Sequence, residues 1–203
     1  MSGDVLGVVL AGGLSRRMGG GDKPLRLLAG RTLLDRVVER FARQCGAGLI
    51  LNANGDPARF GDFPGRIVPD SVPDHAGPLA GILAALDHAA GEHPGVGRVA
   101  SITGDAPFLP PDLVARLAEA AGGAAIAMAA SNGREHFTVA LWPVALRGDL
   151  RDYLVGRGER RVGGFLREQG AMAVAWSVEP VDPFWNLNTP EDLDRAEAYL
   201  AGR

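Results

Sequence analysis

Cysteine is nearly missing from this chain: 203 residues contain one, Cys45. That excludes an internal disulfide and a thiolate metal cluster. Cys45 lies near the end of a helical pattern, where it is expected to pack, and a reducing, cytoplasmic compartment is expected with it. Long apolar runs are missing too. None approaches the ~18 residues of a membrane span, and Met1 to Gly7 lacks the basic start and apolar core of a signal peptide. There is no surplus of positive charge. The formal net charge is −3, which argues against a protein that coats nucleic acid with a basic stripe. His75, His88, His93 and His136 show no metal-ligand pairing, and no serine sits in a GxSxG elbow. The scarcest charged residue is lysine. Of 21 basic residues, Lys23 alone is a lysine and the other 20 are arginines.

What is present is an ordinary globular composition, 46% hydrophobic and 22% charged, without a repeat, linker or low-complexity segment. Residues 5–10 (VLGVVL) form a short apolar, β-branched run that ends in a glycine-rich loop and reads as a buried strand. Helical spacing of Leu34, Val37, Val38 and Phe41 predicts a helix over 33–41. Strands are expected at 49–53, 66–68, 99–103 and 124–130, with helices at 79–90 and 112–121 between them. This alternation predicts βαβ units: an α/β, Rossmann-like three-layer sandwich with a mostly parallel sheet and helices on both faces. The last third reads as strands at 137–141 and 171–176 and helices at 147–153 and 162–169. A final helix is capped by Thr189, with Pro190 at its first position and Glu191 and Asp192 in its first turn. One domain over 1–203 is expected.

The candidate chemistry gathers where strands end. Residues 10–23 (LAGGLSRRMGGGDK) follow the first strand, and residues 12–21 hold five glycines. Backbone N–H groups of such a loop can approach an anion closely, and Arg16, Arg17 and Lys23 add charge. Ligands of open parallel sheets bind beyond the carboxyl ends of strands. The loop nevertheless lacks both the P-loop spacing and a clean GxGxxG, and the alternative is a flexible turn with solvated arginines. Asp105, after another strand, is either a ligand for Mg2+ or the cap of a Gly-Asp-x-Pro turn. Asp70 is either a nucleotide contact or a loop cap. Asn52 and Asn54 either bind or merely terminate a strand. The segment 77–81 (GPLAG) either admits a flat ring or simply starts a helix. Asn186 and Asn188 flank Leu187 in an extended stretch, so both amides share a face, suited to a phosphate or to bracing the Thr189 cap. The cluster at 158–161 is a solvated face. Trp142, Trp176 and Trp185 are core or partner surface.

The string LAGGLSRRMGGGDKPL resembles the N-terminal signature of the GT-A-like nucleotidyltransferases. Further along, PDS at 69–71, GPLAGI at 77–82, TGDAPF at 103–108, NLNTPEDL at 186–193 and LNAN at 51–54 resemble segments of the molybdenum cofactor guanylyltransferases, in the right order from about residue 5 to 195. The resemblance implies transfer of GMP from GTP to molybdenum-molybdopterin, with release of pyrophosphate. A molybdopterin cytidylyltransferase and a non-catalytic nucleotide-binding protein are the alternatives. It implies that Leu10, Ala11, Gly12 and Gly13 cradle the nucleotide, that Lys23 and Arg17 meet the triphosphate, and that Asn52 and Asp70 hold base and ribose. Asp105 would ligate Mg2+, and Asn186 and Asn188 would face the acceptor. Arg160 and Arg161 would approach the acceptor's phosphate. Residues 1–130 would form the nucleotide part and 131–203 the acceptor part. Proteins that deliver molybdopterin and that mature molybdoenzymes are the implied partners.

Overall fold

The computed structural model describes residues 5–12, 21–72, 77–122 and 126–202. The expected site residues Gly13, Arg16 and Arg17 lie outside the described residues, as does His75.

Strand β1 (Val5–Leu10) is buried at every position. It pairs in parallel with β4 (Leu49–Asn52) on one side and β6 (Arg98–Thr103) on the other. Strand β5 (Arg66–Val68) extends the sheet beyond β4, again in parallel. Beyond β6 come β8 (Arg134–Pro143), β7 (Ala127–Ser131) and β9 (Met172–Trp176), giving the order β5-β4-β1-β6-β8-β7-β9. Only β8 runs antiparallel to its neighbours in this sheet. A strand buried on both faces must be apolar throughout, and β1 divides its side chains by strict alternation. Val5 and Val9 pack with Leu34, Val37 and Phe41 of α1 (Leu33–Phe41) and with Leu113, Val114 and Leu117 of α3 (Leu113–Ala121). Leu6, Val8 and Leu10 pack with Leu79, Ile82, Leu83 and Leu86 of α2 (Pro78–Glu92) and with Leu150 of α4 (Arg147–Arg151) and Phe165 of α5 (Val162–Glu168). The three-layer α/β sandwich expected from the sequence is therefore present. Cys45 is part of the first core, and burial pushes its thiol up to about 12, so it is inert packing.

Several boundaries differ from the sequence reading. The strand expected over 124–130 is Ala127–Ser131, with residues 123–125 outside the described set. The strand expected over 137–141 runs from Arg134 to Pro143. The reason is a hairpin: Asn132 and Gly133 both have positive φ, 46° and 72°, as a two-residue turn between twisted strands requires. The helix expected over 147–153 ends at Arg151 and continues as a π turn over Asp152–Gly156. A small hairpin, β2 (Leu27–Leu28) with β3 (Arg31–Thr32), was not expected. The last helix, α6 (Pro190–Ala201), starts as predicted. The Thr189 hydroxyl accepts from the Asp192 N–H and the Asp192 carboxylate accepts from the Thr189 N–H, a reciprocal capping box.

Candidate active site

The register of the parallel strands aligns their carboxyl ends. Leu10 pairs with both Asn52 and Thr103, and Asn52 pairs with Val68. Val68, Asn52, Leu10 and Thr103 thus form one row across the sheet, and Asp70, Ala11 and Asp105 lie just beyond it. Backbone hydrogen bonds carry the row one step further, from Ala53 N–H to Val68 O (3.2 Å), Ala11 N–H to Asn52 O (3.0 Å) and Gly104 N–H to Leu10 O (3.1 Å). Side chains far apart in sequence share this edge because β-pairing is fixed in register.

At the β4–β5 end, Asn52 is 6% exposed. Its Nδ2 donates to Val68 O (3.1 Å) and to Asp70 Oδ1 (3.0 Å). The Asn54 Nδ2 donates to Asp70 Oδ2 (2.8 Å), and the Asp70 N–H donates to Asn54 Oδ1 (2.9 Å). Asp70 therefore neither caps Ser71 nor hangs free. Two asparagines hold its carboxylate. Gly81 of α2 makes room for this: a Cβ there would stand 2.1 Å from Asn52 Oδ1. The GPLAG segment starts the helix with Pro78 at its first turn, and it also leaves space for the buried amide.

At the β6 end, the ammonium of Lys23 donates to Asp105 Oδ2 and to Asn188 Oδ1. Lys23 opens a 3-10 turn, Lys23–Leu25, in which Pro24 is buried. Pro24 lies directly against Gly104, where a Cβ would come within 2.9 Å of its ring. The glycine of the GDAPF segment thus lets the lysine-bearing turn lie down on the end of β6. The second oxygen, Asp105 Oδ1, is buried and has no hydrogen-bond partner among the described residues. A buried carboxylate oxygen left unmatched is costly and calls for a partner of opposite charge.

Asn186 and Asn188 arrive here because Leu187 anchors them. Leu187 is fully buried in a third cluster with Leu28, Leu33, Phe108 and Ala196, a burial that contributes about 2 kcal/mol. Its N–H donates to the Asp105 carbonyl (3.0 Å). Asn186 Oδ1 accepts from the Thr103 hydroxyl (3.2 Å), and Asn188 Nδ2 donates to Asn186 O (3.0 Å). Asn188 does not brace the Thr189 cap, since Asp192 does that. Both amides instead reach the end of β6.

The structure brings together Leu10, Ala11, Lys23, Asn52, Asp70, Asp105, Asn186 and Asn188, with Gly12 just past β1. Arg160 and Arg161 lie exposed in the loop before α5, where the Arg161 carbonyl accepts from the Tyr153 hydroxyl (3.1 Å). One contributor escaped the sequence reading. Arg59 pairs with Asp22 (2.7 Å) and donates to Asn54 O (2.5 Å). It ties the lysine turn to the asparagine loop, and nothing in the spacing of a lone arginine signals such a bridge.

Residues 7–172 match the MobA-like NTP transferase domain. The chain belongs to the MobA-like NTP transferase family. A Bradyrhizobium protein named molybdenum cofactor guanylyltransferase is 54% identical over 199 residues, covering 97% of this chain and 93% of that protein. Among solved structures, molybdopterin-guanine dinucleotide biosynthesis protein A from Archaeoglobus fulgidus superposes with a TM-score of 0.75 at 23% identity, over 98% of this chain and 100% of that one. A Mycobacterium tuberculosis protein, solved as a complex with manganese, superposes with a TM-score of 0.67 at 20% identity, over 98% and 100% of the chains. These two share the fold. In this MobA-like transferase domain, Lys23 joins the end of the glycine-rich segment to Asp105 and to Asn188.

Proposed function

We propose that the chain transfers GMP from GTP to molybdenum-molybdopterin, forming a pterin guanine dinucleotide and pyrophosphate. The observation that carries this reading is the junction at Lys23, where the glycine-loop end, the GDAPF carboxylate and the Asn188 amide meet beside a buried, unmatched carboxylate oxygen. The guanylyltransferase relative over nearly the whole chain supports the same chemistry.

In the reaction an oxygen of the acceptor's terminal phosphate attacks the α-phosphorus of GTP. The bond to the bridging oxygen breaks, and pyrophosphate leaves with the electron pair. The attacking oxygen is already anionic, so no general base is needed. The obstacle is repulsion between anions, and positioning with charge neutralisation overcomes it. Lys23 places a compact positive charge against the triphosphate, and Arg17 is assigned to the catalytic set with it. Leu10, Ala11, Gly12 and Gly13 cradle the nucleotide, and Asn52 with Asp70 orients base and ribose. Asn186 and Asn188 orient the acceptor, with Arg160 and Arg161 toward its phosphate. The residues therefore divide into a nucleotide part over 1–130 and an acceptor part over 131–203.

Asp105 Oδ1 suits a hard divalent cation, and Mg2+ is the proposed ion. Bound there with oxygens of the substrate, it would act as a Lewis acid that lowers the repulsion among the phosphates. Among the described residues there is no cluster of three His, Cys, Asp or Glu side chains, so Asp105 and the substrate would supply its ligands. No described helix is long and apolar enough to cross a membrane, and we place the enzyme in the cytoplasm, handling pterin passed between delivery and maturation proteins.

The test is pyrophosphate release from each of the four nucleoside triphosphates, with and without molybdenum-molybdopterin. Acceptor-dependent release from GTP is expected. Release from CTP, or from none of the four, overturns the reading.

A further inference from the structure

We propose that Asp192 is a positioning residue for the transfer, fixing Asn188 so that its amide oxygen meets Lys23. This rests on the reading of Lys23 as the triphosphate contact.

A capping box needs the Thr189 hydroxyl on the Asp192 N–H and the Asp192 carboxylate on the Thr189 N–H. The Asp192 carboxylate reaches further. Its Oδ2 also accepts from the Asn188 N–H (2.9 Å), one residue before the cap. Its Oδ1 accepts from the indole N–H of Trp185 (3.2 Å). The indole is itself held. Its ring stacks on Phe108 at 6.1 Å between centres and 19° between planes, and the Arg195 guanidinium lies 5.0 Å from its centre. Phe108 belongs to the same segment as Asp105. One carboxylate therefore clamps the 185–188 stretch at both ends, and the buried Leu187 fixes its middle.

The consequence falls on Asn188. Its side chain is exposed, so no packing sets its direction. With its backbone N–H held by Asp192 and its Nδ2 on Asn186 O, its Oδ1 is left for Lys23. Remove the Asp192 carboxylate and the Asn188 backbone loses its anchor. Lys23 then has one assured acceptor instead of two, and its ammonium swings toward Asp105. Burial opposes the charge on Asp192, yet the N–H donors of Asn188, Trp185 and Thr189 outweigh it and hold the carboxyl below its usual range.

The test compares Asp192→Ala, which removes every acceptor of the clamp, with Thr189→Ala, which removes the other half of the capping box and leaves the clamp intact. Both should lose thermal stability. Thr189→Ala should keep GTP-dependent pyrophosphate release within about twofold, whereas Asp192→Ala should lose about tenfold or more in kcat/KM. The double variant Asp192→Ala with Asn188→Ala should match Asn188→Ala alone within about threefold, because both act through one amide. Hydrogen exchange at the Asn188 N–H, read without substrate, should quicken at least tenfold in Asp192→Ala but not in Thr189→Ala. Equal loss of transfer in the two single variants, multiplying losses in the double variant, or unchanged exchange at Asn188 each overturns the proposal while the guanylyl-transfer reading stands. A wild-type chain that releases no pyrophosphate from GTP overturns both.

Discussion

Lys23 and Asp105 are 82 positions apart in sequence, yet the ammonium of one donates to the carboxylate of the other at the end of β6. Gly104 makes the contact possible by letting Pro24 lie against the strand end. The only lysine of the chain is therefore held where the glycine-rich segment meets the GDAPF segment.

Lys23→Arg keeps the charge and changes its shape. A planar guanidinium fork does not reproduce a small ammonium shared between Asp105 Oδ2 and Asn188 Oδ1. Steady-state assays should show kcat/KM down by about tenfold or more with the fold intact. Turnover near that of the wild type would return the lone lysine to compositional bias.

Asp105→Ala removes the unmatched buried oxygen and the counter-charge of Lys23 together. The chain should still fold, since the Leu187 N–H bonds the Asp105 backbone carbonyl rather than its side chain. Transfer should fall by about 100-fold or more, and titration with Mg2+ should no longer restore it. A metal response like that of the wild type would refute the ligand role.

Gly81→Ala is expected to reverse the usual sign of a helical glycine substitution. Alanine in an open helix interior gains about 1 kcal/mol over glycine. Here its Cβ would stand 2.1 Å from Asn52 Oδ1, so overpacking should cost about 1–3 kcal/mol. Displacing Asn52 also displaces Asp70. Thermal unfolding should show the loss of stability, and KM for GTP should rise while a higher Tm would contradict the packing.

His136 gives a pH prediction. It is half-buried beside Ser131 and Phe184, and burial lowers its pKa below the usual histidine range, although Asp182 pulls the other way. A depressed folded pKa favours the neutral ring. Its contribution is complete above the unfolded value of about 6.5 and is lost as pH falls through the lower folded value. Acidification from pH 7.5 to 5.5 should therefore lower Tm more in the wild type than in His136→Gln. Parallel pH profiles of the two would argue against a neutral buried ring.

The asparagine–glycine turn shows how a signal can be present and go unused. Asn132-Gly133 marks a hairpin by its need for positive φ, and the paired strand is correspondingly longer than its apolar run. The π turn after Arg151 had no such mark, because local spacing there suits any helix.

Sequence by itself determined the alternation of strands and helices, the burial of β1 and the cap at Thr189, and it marked the segments proposed to carry the chemistry. These depend on periodicity and on short-range hydrogen bonding, which are local properties. The tertiary structure decided what the open readings meant. Asp70 is held by Asn52 and Asn54, Asn188 serves Lys23 rather than the helix cap, and Arg59 bridges two loops. Such pairings depend on strand register and on the burial of Leu187, which align groups far apart in the chain and leave no periodic trace in it.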